Sequence, residues 1–126
     1  MLLNIGLGVP ATTTEPEYMS VWAKIDHYAD LYGVDRDFLE MMVNCETAGT
    51  FDPKIQSGYH YKFSDPKRGI AIGDREKSYG LAQISLPHHP EVSYEEAIDP
   101  DFALNFLAKN LSEGKGWLWS CHPVNY

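Results

Sequence analysis

The chain has 126 residues, 44% of them hydrophobic and 13% aromatic, which suits one compact domain burying roughly two-thirds of its unfolded surface and not a disordered segment. A formal charge of -8 with only ten scattered basic residues argues against nucleic acid and against a basic membrane-surface helix, both of which rely on clustered Lys and Arg.

Met1 to Val9 is apolar, lacks Lys and Arg, and is too short to span a bilayer. Val9-Pro10-Ala11 resembles the small-residue rule of a secretory cleavage site, although the charged n-region is absent. Residues 1–13 therefore read as an N-terminal arm or a signal remnant, and residues 14–126 as a single domain. Thr14, Pro16 and Glu17 form a helix-start signature with a capping box. Tyr18, Trp22, Ile25, Ala29 and Tyr32 follow on one face, and Gly33 is a natural stop. Asp35 caps a second helix, whose apolar stripe Leu39, Met42, Val43 has the spacing of one helix face and reaches Glu46.

From Ala48 to Lys77 the periodicity fades and Gly, Pro, Asp and Ser become frequent. A stretch of this length inside a small domain is usually functional, and it reads as loop with a short hairpin walling a groove. Tyr79 to Leu86 reads as a short buried helix stopped by Pro87. Ser93 and Glu96 form a capping box for a short helix. Asp99 then caps a longer helix with Pro100 at its first position, and Phe102, Ala103, Phe106 and Leu107 make it broadly apolar. Gly114 and Gly116 end it before Trp117-Leu118-Trp119. The expected architecture is mainly α-helical with a loop-rich or short β-hairpin insertion.

Cys45 and Cys121 either remain free thiols or form a bridge contributing roughly 3–5 kcal/mol and implying an oxidising compartment. Neither has a second ligand at zinc spacing, and no metal or cofactor is expected. His88 and His89 sit between prolines and read as a solvated loop.

Glu46 is the residue that points to chemistry. A carboxylate where the stripe calls for a core residue either faces a cleft or has a buried partner, and desolvation raises its pKa until it can serve as a general acid near neutral pH. Around it stand two motifs: Glu46-Thr47-Ala48-Gly49-Thr50-Phe51-Asp52-Pro53, and Ser78-Tyr79-Gly80-Leu81-Ala82-Gln83-Ile84. Together, in this order, they resemble the lysozyme-like domain of the soluble lytic transglycosylases. Asp99-Pro100, followed by Asn105 and Phe106-Leu107, resembles that family's next helix.

The resemblance implies a lysozyme-like fold and a peptidoglycan glycan strand as the partner of a monomeric enzyme acting outside the cytoplasm. Glu46 would be its catalytic acid and base at the bond between N-acetylmuramic acid and N-acetylglucosamine, leaving 1,6-anhydro ends. Thr47, Ser78, Tyr79, Gln83 and Tyr59 are the candidate substrate binders, with Tyr61, Trp117 and Trp119 as further stacking surfaces. A hydrolytic lysozyme needs a second carboxylate, about 5 Å away if retaining and about 6.5–9.5 Å if inverting. Asp52, Asp74 and Glu76 are the candidates, Glu76 foremost, against the alternative that it is one more surface charge in Asp74-Arg75-Glu76-Lys77. Cys45 before the Glu and Cys121 near the end resemble smaller members that carry a disulfide. Two departures stand out: Ala82 replaces the usual Met, and the tyrosine whose hydroxyl contacts the catalytic Glu is missing unless Tyr126 supplies it. A non-catalytic glycan-binding module on the same scaffold is the remaining alternative.

Overall fold

The computed structural model describes residues 19–125. The arm at 1–13, the capping box expected at Thr14 and Glu17, Tyr18 and Tyr126 lie outside the described residues. Among the described residues there are four α-helices and one small two-stranded sheet, and the protein is mainly helical. None of the helices is long and apolar enough to cross a membrane.

Helix α1 spans Val21–Tyr32. Ser20 caps it, its hydroxyl accepting from Ala23 N at 3.2 Å, and Gly33 ends it at φ 66°, a left-handed conformation that glycine adopts without penalty. Its buried face is Lys24, Ile25, Tyr28 and Ala29, not the face that included Trp22. Trp22 is 46% exposed and packs instead on Phe51, ring centroids 4.2 Å apart. Lys24 can be buried because its ammonium meets Asp101 at 2.5 Å, while the Tyr28 hydroxyl donates to the same carboxylate at 3.1 Å. Burial, then the hydrogen bond to Asp101, pushes the Tyr28 phenol up to about 12.

Helix α2, Arg36–Glu46, starts at Asp35, whose carboxylate accepts from Phe38 N at 3.0 Å. Leu39, Met42 and Val43 are fully buried, so the apolar stripe faces the core as its spacing predicts. Helix α3, Tyr94–Ala97, has the complete Ser93–Glu96 capping box. Helix α4, Pro100–Ser112, is capped by Asp99, which accepts from Asp101 N at 2.9 Å. Helix α1 packs on α2 and α4, and α3 packs on α4. Ala103, Leu104, Leu107 and Ala108 of α4 share one core with Ile25 of α1 and with Leu39, Met42 and Val43 of α2.

The segment from Tyr79 to Leu86 is not a helix. Strand β1, Ser78–Tyr79, pairs antiparallel with β2, Ile84–Ser85, across a tight turn. A short apolar run fits a buried helix and a buried strand equally well, and tertiary contacts decide between them. Gly80 has φ 81°, and a Cβ there would lie 2.0 Å from the Ala97 carbonyl oxygen. Gln83 is also left-handed, at φ 46°. Neither torsion belongs in a right-handed helix. Leu81 and Ala82 of the turn are fully buried in the core.

The irregular stretch folds back on itself as a narrow antiparallel arm running from Gln56 to Tyr79, with a short 3₁₀ turn, Pro66–Arg68, at its tip. Main-chain bonds join Ser57 N to Ser78 O (2.9 Å), Glu76 N to Tyr59 O (2.8 Å), Tyr61 N to Asp74 O (2.8 Å) and Asp65 N to Ile70 O (2.9 Å). After α4, Gly114 turns the chain and a second 3₁₀ turn, Gly116–Leu118, leads to Trp119. Trp119 is buried, and its indole N–H donates to the Ala82 carbonyl at 2.7 Å. A disulfide joins Cys45 to Cys121, with Cα atoms 6.0 Å apart and a sequence separation of 76.

Candidate functional site

Three pieces of chain enclose a cleft of about 370 Å³: the end of α2, the arm with the β1–β2 turn, and the C-terminal segment. Helix α2 contributes Cys45 and Glu46. The arm and turn contribute Ser57, Tyr59, Glu76, Ser78, Gln83 and Ser85, and the C-terminal segment contributes Leu118 through Cys121. Alternation along the extended arm explains its share, because side chains two apart face the same way. Ser57 and Tyr59 on one limb, and Glu76 and Ser78 on the other, form that face. Arg75 points away and ties down the limb opposite, its Nε donating to the Ser57 carbonyl at 2.8 Å. Glu76 therefore lines the cleft and is not a surface charge of its run.

Glu46 is the last residue of α2 and largely buried. Its Oε2 accepts a hydrogen bond from the backbone N–H of Cys121 at 3.2 Å. Burial is the main reason its carboxyl is pushed up to about 7; the Cys121 N–H opposes the rise and the Glu76 carboxylate adds to it. The negative end of the α2 dipole acts in the same sense as Glu76. Glu46 is thus a protonated or half-protonated acid at neutral pH, open to the cleft.

Sequence expectations meet the site unevenly. Glu46, Glu76, Ser78, Gln83 and Tyr59 all line the cleft. Ser78 is nearly buried, whereas Tyr59 is 78% exposed and offers its ring as a platform. The Gln83 amide donates to the carbonyls of Ile55 (3.2 Å) and Gly80 (3.1 Å), which locks the side chain and leaves its oxygen as the group free to accept. Thr47 does not line the cleft. It is fully buried; its hydroxyl donates to Val43 O at 2.8 Å and accepts from Phe51 N at 3.0 Å. It fastens the helix end to a turn in which Ala48, Gly49 and Phe51 all have positive φ. Tyr79 also points elsewhere, edge-on to Tyr94 with centroids 5.0 Å apart.

Among the other aromatics, Tyr61 is buried in the arm and its hydroxyl accepts from Lys77 N at 3.0 Å, while Trp119 forms cleft wall and Trp117 is exposed outside the lining. Asp52 and Asp74 are exposed and not part of the lining. His88 bonds to Ser85 Oγ at 2.8 Å, but His89 is partly buried and packs edge-on against Phe106, so the pair is only half solvated. Among the described residues no cluster of three His, Cys, Asp or Glu side chains is placed to hold a metal ion.

Sequence reasoning missed Ser57, Ser85, Leu118 and Ser120, none of which carries a local signature. It also missed the Cys121 N–H, a backbone group to which residue identity gives no clue. Among the described residues no tyrosine hydroxyl bonds to Glu46; Cys121 N–H is the donor there.

No family model, curated protein or solved structure matches the chain. The site's meaning therefore rests on its chemistry. A buried acid, a second carboxylate, several hydroxyls, a fixed amide and an exposed aromatic ring make a polar cleft whose acid can transfer a proton.

Proposed function

We propose that the protein is a peptidoglycan lytic transglycosylase on a lysozyme-like scaffold, with Glu46 as its acid and base. The observation that carries this reading is the Glu46 carboxyl, held near pKa 7 by burial while it lines an open cleft. Glu46 gives its proton to the glycosidic oxygen as the bond from C1 of N-acetylmuramic acid breaks. The resulting carboxylate then takes the proton of the same sugar's C6 hydroxyl while O6 bonds to C1, closing the 1,6-anhydro ring. No water is consumed, and one carboxyl performs both transfers. Gln83 and the cleft serines offer hydrogen-bond partners for N-acetyl and hydroxyl groups, and Tyr59 a face for a sugar ring. The disulfide is compatible with an extracytoplasmic location, where this substrate lies.

A specific observation favours a second reading. Glu76 shares the cleft and is close enough for its charge to raise the Glu46 pKa. A carboxylate there is suited to activating water, which would make the protein a hydrolytic lysozyme.

Mass analysis of fragments released from purified peptidoglycan separates these outcomes. Anhydro-ended products, one water lighter than hydrolysed ones, are expected from the wild type. Glu46→Gln is expected to lower the rate by roughly 10²–10⁴-fold, and Glu76→Gln to leave anhydro products. Reducing-end products that vanish in Glu76→Gln would establish the hydrolase. A wild type that binds glycan strands without releasing any fragment would make the protein a binding module and defeat both enzymatic readings.

A further inference from the structure

The C-terminal segment reaches Glu46 through two links at once. Cys121 N–H donates to Glu46 Oε2 at 3.2 Å, and the side chain of the same residue is bonded to Cys45, the residue just before Glu46. Neighbouring residues on a helix point about 100° apart, so position 45 has no direct way to steer the side chain at 46. The disulfide supplies one by carrying a distant piece of main chain back across the helix end. A third contact steadies that piece from the other side: Trp119, two residues earlier, donates its indole N–H to the Ala82 carbonyl at 2.7 Å. The donor is therefore held between helix α2 and the β1–β2 turn.

We propose that Cys121, clamped by its bond to Cys45, is the positioning residue for the acid: its backbone N–H occupies Oε2 and so assigns Oε1 as the oxygen that carries and delivers the proton. This rests on Glu46 acting as the acid. A carboxylic acid accepts hydrogen bonds best at its carbonyl oxygen, so a fixed donor at Oε2 favours the tautomer with its O–H on Oε1. It also holds the side chain in one rotamer, so the proton always faces the same way. Misplacing a reacting group by about 1 Å is enough to slow catalysis roughly 10²-fold, which is why such a donor matters. The other charged group facing Glu46 is Glu76, from the arm. The remaining cleft-lining side chains from the arm, the β1–β2 turn and the C-terminal segment are hydroxyls, the Gln83 amide, Leu118, Trp119 and the disulfide-bonded Cys121.

Replacing Cys121 by its α-hydroxy analogue tests this, because the ester keeps the disulfide while an oxygen takes the place of the N–H. Glu46 is followed by the titration of its ¹³C-labelled carboxyl carbon, a readout that needs no turnover. The N–H favours the carboxylate, so its removal is expected to move the Glu46 titration to higher pH, and a merely structural role for Cys121 would leave it in place. On peptidoglycan, kcat is expected to fall roughly tenfold or more at an unchanged KM, with the basic limb of the pH profile following the titration. An unmoved titration overturns the proposal whether or not the protein cuts peptidoglycan. A shifted titration with undiminished kcat overturns the positioning role while leaving the acid itself intact.

Discussion

Burial keeps a proton on Glu46 at a pH where an exposed carboxyl has lost it, and the same burial has a cost in stability. The carboxyl is raised from 4.5 to about 7 in the folded protein, so the fold favours its protonated form. That contribution is fully present below about pH 4.5 and is lost as pH rises through 7. By pH 8 the loss is about 3 kcal/mol. Glu46→Gln keeps the shape and an acceptor for Cys121 N–H but never ionises. It is expected to match the wild type in melting temperature near pH 4 and to exceed it near pH 8. Melting curves recorded across that range give the answer, and parallel curves for the two proteins would mean that burial is not what holds the proton. The catalytic counterpart is an activity that declines as pH rises past about 7, where the acid becomes carboxylate.

At the scale of elements, the starts of α2, α3 and α4 were readable because caps are local chemistry, whereas the Ser20 cap that opens the helix carrying Trp22 was not expected. Asp35, the Ser93–Glu96 box and Asp99 before Pro100 each satisfy orphan N–H groups within a few residues of themselves. The β1–β2 turn was not readable, because what excludes a helix there is the close approach of the Ala97 carbonyl to Gly80 and the pairing of Ser57 with Ser78. Lys24 was missed for the same kind of reason: its burial depends on Asp101 in another helix. Of the site, Glu46 and Gln83 were legible from motif and stripe, whereas the orientation of Glu76 required knowing that residues 56–79 run as paired limbs. Gly80→Ala tests the turn directly. With φ 81° and a Cβ 2.0 Å from a carbonyl oxygen, the substitution is expected to cost roughly 3 kcal/mol or more. Urea titration measures this, and a loss under about 1 kcal/mol would show that the turn has another conformation available to it.

For the molecule as a whole, the Cys45–Cys121 bond encloses most of the described chain in one loop, worth about 4 kcal/mol in the chain-entropy picture. It also makes the two walls of the cleft mechanically unequal. The C-terminal wall is covalently pinned beside Glu46 and anchored by Trp119. The opposite wall, the arm, carries Tyr59 and Glu76 and is joined limb to limb largely by main-chain hydrogen bonds, with much of its outer half exposed. The cleft is thus a vice with one fixed jaw and one yielding jaw. Where the arm yields more readily than the pinned wall, Tyr59 and Glu76 travel while Glu46 and its donor stay put. Hydrogen exchange reads this asymmetry: the Tyr61 and Gly73 amides of the arm are expected to exchange faster than the Trp119 and Cys121 amides, and the opposite order would assign the yielding jaw to the other side.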